Sequence, residues 1–304
     1  MTSSLRRLAD ACEAQLQDGA LSSDLRSLID ERATSAADET PSLAEGLALA
    51  SSLRVSLAEP SVDPKSAAWR ARAREVVDRA HGALSACFPR PTAQRVRGLY
   101  VIVDPEHTCG RDVVEMAELA LRGGATAIQL RDKVHDKGQV LPTARRLTAL
   151  CHEHGAAFIV NDHADLATAC GAHGLHVGQR DLPAAEARAI VAPWQFIGRS
   201  NNTVEQALES LKQSADYIAV GSMFASPSKG TAIPAGVETL RRVRRAVPKD
   251  TLIVAIGGIN LENVDQVVAA GADSACVISA VCMAKDPQEA ARHLVERIKE
   301  VRRG

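Results

Sequence analysis

The sequence predicts an α/β chain: a (β/α)8 TIM barrel preceded by a small all-α domain. Three observations predict it. From residue 98 onward, short Val/Ile/Ala runs recur between amphipathic stretches of helix length. The runs are continuously apolar rather than alternating, as parallel strands are when helices cover the sheet. There are eight of them over 207 residues, the number and spacing of a compact barrel. An open doubly wound sheet is the competing arrangement, and it needs neither eight units nor so even a rhythm.

The all-α part comes first. Residues 1–97 are rich in Ala, Leu, Ser and Arg and show almost no strand pattern. Apolar residues at helical spacing occur at Leu5, Leu8, Cys12 and Leu16, then at Leu21, Leu25, Leu28 and Ile29. Further helices are expected at about 42–58 and 65–87, bounded by Pro60, Pro64, Pro89 and Pro91. With 13 basic and 13 acidic residues this segment is neutral, and no motif in it points to chemistry. Residues 1–88 are assigned to a helical domain of unknown role, 89–97 (PRPTAQRVR) to a linker and 98–304 to the barrel.

The strands follow as GLYVIV (98–103), ATAIQL (125–130), AAFIV (156–160), GLHV (174–177), QFIG (195–198), YIAV (217–220), LIVAI (252–256) and SACVI (274–278). At 46% hydrophobic but only 3% aromatic, the core is expected to be aliphatic. A formal charge of −1 gives no electrostatic case for nucleic acid or an anionic membrane. No apolar stretch approaches the ~20 residues of a membrane span, and the first residues, MTSSLRRLAD, lack a signal-peptide core. Seven cysteines without metal-like clustering read as reduced thiols of a cytoplasmic protein.

Barrels carry their functional groups at the C-terminal ends of the strands. Strand two ends Gln129-Leu130-Arg131-Asp132-Lys133, and alternation puts Gln129, Arg131 and Lys133 on one side. Strand three ends Asn161-Asp162, and strand four Gly178-Gln179-Arg180-Asp181; either Asp alone could simply cap a helix. Strand five ends Gly198-Arg199-Ser200, with Ser200 another capping candidate, and strand six leads into Ser226-Pro227-Ser228-Lys229-Gly230. Strand seven ends Ile256-Gly257-Gly258, and strand eight Ile278-Ser279. A glycine pair and a serine beside helix starts seven and eight form the usual phosphate site of a barrel. Arg131, Lys133 and Lys229 with Ser200, Ser226 and Ser228 make a second, more highly charged anion site. Two carboxylates beside such a site repel it unless a divalent cation lies between, and Mg²⁺ binds one or two carboxylates together with phosphate oxygens. The exits therefore predict a pyrophosphate–Mg²⁺ substrate and a second, monophosphorylated one.

In order and spacing, QLRDK (129–133), ND (161–162), GLHVGQRD (174–181), SPSKG (226–230) and IGGI (256–259) resemble the signatures of thiamine phosphate synthase. The resemblance covers about two-thirds of the chain. It implies a Mg²⁺-dependent transferase joining a pyrimidine pyrophosphate to a thiazole phosphate, by a dissociative route and without a nucleophilic triad. It further implies Asp162 and Asp181 as Mg²⁺ ligands. Arg131, Lys133, Asn161, Ser200 and Lys229 would bind pyrophosphate, with Lys229, Ser200, Arg131 and Lys133 acting on the leaving group. Gln129 would lie against the pyrimidine, and Gly257, Gly258, Ile278 and Ser279 at the thiazole phosphate. Ser226 and Ser228 stand where the family usually has threonines. The expected partners are these small molecules, with no nucleic acid or membrane; a homo-oligomer is compatible with them.

Four departures from the family pattern stand out: His173 replaces a customary Asp, His163 an Arg, Arg199 a small apolar residue and Ser222 a frequent Pro. His163, His173 and His176 read as packed or capping histidines. Arg199 either adds charge to the pyrophosphate site or points outward. Two other functions compete: a thiazole tautomerase-like relative, which would carry His where Ser222 stands, and a non-catalytic phosphate-ligand sensor.

Overall fold

The computed structural model describes residues 2–16, 19–30, 42–58, 63–87, 90–225 and 235–303. The chain divides into two compact units, Met1–Pro89 and Arg90–Gly304. The described residues of the first form four helices, α1 (Thr2–Leu16), α2 (Gly19–Asp30), α3 (Leu43–Ala58) and α4 (Pro64–Ala86). Its core includes Leu5, Leu8, Cys12, Leu21, Leu25 and Leu28, the residues whose helical spacing the sequence displays, joined by Leu53, Trp69, Val77 and Leu84. Pro60, Pro89 and the side chains of Leu16 and Ile29 lie outside the described set.

In the second unit eight parallel strands close in sequential order: β1 (Gly98–Val103), β2 (Ala127–Leu130), β3 (Ala157–Asn161), β4 (Gly174–Val177), β5 (Phe196–Asn201), β6 (Tyr217–Gly221), β7 (Leu252–Ile256) and β8 (Ser274–Val277). Between and after them run α5 (Val113–Arg122), α6 (Lys137–Glu153), α7 (Ala164–Ala169), α8 (Ala184–Arg188), α9 (Val204–Lys212), α10 (Gly236–Ala246), α11 (Val264–Ala269), α12 (Ser279–Cys282) and α13 (Pro287–Arg303). Alternation sorts each strand into two cores. Leu99, Val101 and Val103 of β1, like Phe158 and Val160 of β3, face the helices. Tyr100, Ile102, Ala157, Ile159, Phe196, Tyr217 and Val254 fill the barrel. Residues 91–96, read from the sequence as linker, form a 3-10 turn whose Ala93 and Val96 belong to that inner core.

Two glycines make the aromatic filling possible. A Cβ on Gly198 would lie 1.9 Å from the Tyr217 ring, and one on Gly174 would lie 2.3 Å from Phe196. Both rings are fully buried. The strand-paired neighbours Gly198 and Tyr217 thus divide one layer of the interior between no side chain and a large one.

A repeat invisible in composition holds the N-terminal ends of the strands. The residue before each even strand takes hold of the odd strand preceding it. His173, Asp216 and Asp273 each donate a backbone N–H to a carbonyl, of Phe158, Ile197 and Ile253 respectively. Their side chains accept in return: His173 Nδ1 from Phe158 N (3.0 Å), Asp216 Oδ2 from Ile197 N (2.7 Å) and Asp273 Oδ2 from Ile253 N (2.9 Å). At the fourth place Thr126 donates both its N–H and its hydroxyl to Leu99 O. The substitution of His for Asp at 173 therefore preserves an acceptor, at the end of the barrel opposite the strand exits.

Candidate active site

The strand exits form one end of the barrel. β5 extends three residues beyond its expected end, so Arg199 and Ser200 are strand residues, and Ser200 caps no helix. Alternation then turns Ser200 inward and Arg199 outward. Arg199 is buried and bonds Gln213 Oε1 through Nη1 at 2.5 Å, so it supplies no charge to the mouth. Gln129, also inward and buried, donates through Nε2 to Tyr100 Oη at 2.5 Å. His176 links Tyr217 Oη (2.8 Å) to Ser200 Oγ (2.9 Å) and stacks on the Tyr217 ring. It is thus neither a cap nor a merely packed residue: it connects polar groups inside the barrel.

Beyond Gln129, Arg131 and Lys133 reach carboxylates on neighbouring exits. Arg131 Nη1 pairs with Asp104, fully buried after β1, which also accepts from Glu106 N at 3.0 Å. Lys133 Nζ pairs with Asp162 Oδ2 at 2.6 Å. Asp162 has φ 63°, rare for a side chain with a Cβ, and its neighbour His163 donates its N–H back to Asn161 O at 2.8 Å. This i to i+2 bond makes a γ-turn, an uncommon conformation held here by a second bond, Asp162 N to His176 O at 2.8 Å. Such local strain is a recurring property of functional sites. Neither sequence-flagged acid caps a helix: the residues at the N-caps of α7 and α8 are His163 and Pro183. Asp181 instead accepts from Gly178 N at 2.8 Å.

Lys133, Asp162, His163 and Asp181 line one cleft of ≈ 500 Å³, with Leu182 and Ile190 as its apolar wall. The same cleft holds Lys137 and Asp165, paired at 2.8 Å, which the sequence reading missed. Lys137 holds the Asp165 carboxyl below its ordinary range. Asp104 was missed too. Its signal is position alone, the first polar residue after GLYVIV, and Asp-Pro there reads as a turn.

On the other side of the mouth, Gly257 (φ 106°) and Gly258 (φ 68°) follow β7. A Cβ on Gly257 would meet Ser222 Oγ at 2.5 Å, so the β6 exit passes directly over the pair. Met223 N and Phe224 N donate to Ile256 O and Gly257 O, both at 2.9 Å, and Asn263 Nδ2 donates to Gly258 O at 2.9 Å. The carbonyls of this turn are thereby engaged, while its two amides donate to no partner among the described residues. Ser279 opens α12, with Ile278 just before it. Asn161 ends β3 opposite His176. Ser226, Ser228 and Lys229 lie outside the described residues.

Among the described residues no group of three or more His, Cys, Asp or Glu is placed to hold a metal. Two carboxylates on one cleft do fit a cation that takes its remaining ligands from phosphate and water, as Mg²⁺ does. None of the described helices is long and apolar enough to cross a membrane.

Fold and site together define a (β/α)8-barrel enzyme with its polar groups gathered at the strand exits. The family model for thiamine monophosphate synthase matches residues 99–281. A thiamine-phosphate synthase of Shouchella clausii is 45% identical over 203 residues, 66% of this chain and 96% of that protein. One from Gloeobacter violaceus is 37% identical over 80% of this chain and 68% of its own length, a span that the barrel unit alone cannot supply. Among solved structures, the thiamine phosphate pyrophosphorylase of Pyrococcus furiosus superposes with a TM-score of 0.63 at 38% identity, covering 69% of this chain and 98% of that one. The chain belongs to the thiamine monophosphate synthase family, transferases of thiamine biosynthesis.

Proposed function

We propose that the barrel joins 4-amino-2-methyl-5-hydroxymethylpyrimidine pyrophosphate to 4-methyl-5-(2-hydroxyethyl)thiazole phosphate, giving thiamine phosphate and pyrophosphate. The observation that carries this reading is the cleft in which Lys133, Asp162 and Asp181 lie together at adjacent strand exits. The pyrimidine C–O bond breaks with its electron pair going to pyrophosphate, and the thiazole nitrogen then attacks the methylene carbon of the resulting cation. No proton need be removed by a nucleophile's partner, in keeping with strand exits that offer cations and hydroxyls rather than a triad.

Arg131, Lys133, Asn161, Ser200 and Lys229 take the pyrophosphate, with Ser226 and Ser228 beside them. Preplaced donors of this kind act where charge grows in the transition state. Asp104 holds the Arg131 guanidinium at the mouth. Lys133 exchanges Asp162 for the substrate's phosphates, leaving Asp162 and Asp181 to hold Mg²⁺, which neutralises pyrophosphate charge when bound. Gln129 meets the pyrimidine, and Gly257, Gly258, Ile278 and Ser279 receive the thiazole phosphate. Holding both rings in attack geometry supplies an entropic share of the rate. The catalytic unit is the barrel; the helical unit takes no part in the chemistry. None of the seven cysteines, all of them among the described residues, is in a disulfide, which supports a reducing, cytoplasmic setting.

The test is formation of thiamine phosphate from the two purified heterocycles, with Mg²⁺ and with EDTA. Binding of both without product would contradict the proposal and favour a sensor.

A further inference from the structure

An unbroken hydrogen-bond chain crosses the barrel interior from β2 to β5. Gln129 Nε2 lies 2.5 Å from Tyr100 Oη, which lies 3.1 Å from Tyr217 Oη. Tyr217 Oη is 2.8 Å from His176 Nδ1, and His176 Nε2 is 2.9 Å from Ser200 Oγ. Each hydroxyl has one proton to give, and a neutral imidazole has one donor and one acceptor nitrogen. The polarity at one end therefore fixes the polarity at the other.

The amide of Gln129 donates, so the Tyr100 proton must go elsewhere, and the Tyr217 oxygen is the strong acceptor within reach. Cys276 neighbours both phenols, but a thiol accepts only weakly. Tyr217 then donates to His176 Nδ1, which places the ring proton on Nε2, and Nε2–H donates to Ser200 Oγ. The Ser200 hydroxyl proton is left free to point out of the chain at the β5 exit. Burial raises both phenols above their ordinary range, so the chain conveys the order of its protons and no charge. Were Gln129 turned to accept, every bond would reverse. His176 would carry its proton on Nδ1, Ser200 would donate inward, and only a lone pair would face an anionic leaving group.

We propose that Tyr100, Tyr217 and His176 are positioning residues that hold Ser200 as a hydrogen-bond donor to the departing pyrophosphate, with the amide orientation of Gln129 setting their common sense. The proposal rests on the reading that Ser200 meets that leaving group. It ties a residue beside the pyrimidine to one beside the pyrophosphate across the full width of the barrel.

Two measurements on the full chain test it. The first is ¹⁵N NMR of the histidine-labelled protein without substrates, with the His176 ring assigned through His176→Gln. The neutral Nε2–H tautomer is expected at pH 7; the Nδ1–H tautomer or an imidazolium would overturn the polarity. The second uses Tyr217→Phe, which keeps the ring that packs on His176 and Phe196. Loss of one ordering hydrogen bond should lower kcat about tenfold, with little change in KM. In a Ser200→Ala background the same change should cost nothing further; fully additive losses would show that Tyr217 does not act through Ser200. A wild-type chain that makes no thiamine phosphate would sink the assigned reaction, and the tautomer, read without substrates, would still decide for or against the chain's order.

Discussion

The histidine at 173 makes its quarter of the barrel sensitive to acid. Its Nδ1 must stay unprotonated to accept from Phe158 N, and burial, followed by Arg95 and His152, lowers its pKa from the ordinary 6.5 to about 4. A group whose folded pKa is depressed binds more protons when unfolded, so stability falls as the pH drops through the window from 6.5 to 4. The full shift corresponds to about 3 kcal/mol, and the ring's partial exposure reduces this to about 2 kcal/mol. His173→Asp restores a carboxylate like those of Asp216 and Asp273, which accept the equivalent N–H groups at 2.7 and 2.9 Å. The assay is urea unfolding of the barrel, followed at Trp194 in a Trp69→Phe background, at pH 7 and pH 4.5. The parent should lose more stability than the variant on acidification, by most of that ~2 kcal/mol. Equal losses, or a His173 ring that titrates near 6.5 by NMR, would refute the reasoning.

Lys229→Ala should lower kcat by about 10²–10³, as loss of a donor aimed at a growing anion does, and steady-state kinetics showing only a raised KM would assign it to ground-state binding. Gly198→Ala should destabilise the barrel by about 1–3 kcal/mol or more and raise KM for the pyrimidine, because the new methyl falls within the Tyr217 ring; an unchanged Tm would contradict that packing. A fragment beginning at Arg90 should fold and turn over with the full chain's kcat, since every described candidate residue lies in that unit. A cut at 95 should be less stable, because it removes Ala93 from the inner core.

The strand count and order were legible because eight apolar runs are each followed by a helix. So was the placing of Lys133, Asp162 and Asp181 on one cleft, because their charges follow such runs within a few residues. Ser200 was legible as a residue but not in its place. β5 continues through Arg-Ser-Asn because Arg199 and Asn201 find polar partners on the outer face, through Gln213 and Ser210, and no pattern of hydropathy announces that. Asp104 was hidden by looking like a turn. The interior chain was hidden by chemistry: Tyr and His in strands read as packing, although the two tyrosines are the only ones in the sequence and both alternate inward. The role of His173 needed the other three quarters of the barrel for comparison.

In the proposed reaction two acids on neighbouring exits act together on a pyrophosphate through one divalent cation. Thiamine phosphate formation titrated with Mg²⁺, for the parent chain, Asp162→Asn and Asp181→Asn, tests it most directly. Mg²⁺-dependent turnover is expected in the parent, abolished by EDTA, with either variant needing far more Mg²⁺ or failing to turn over while its barrel stays folded. Parent activity that persists in EDTA and ignores added Mg²⁺ would contradict it.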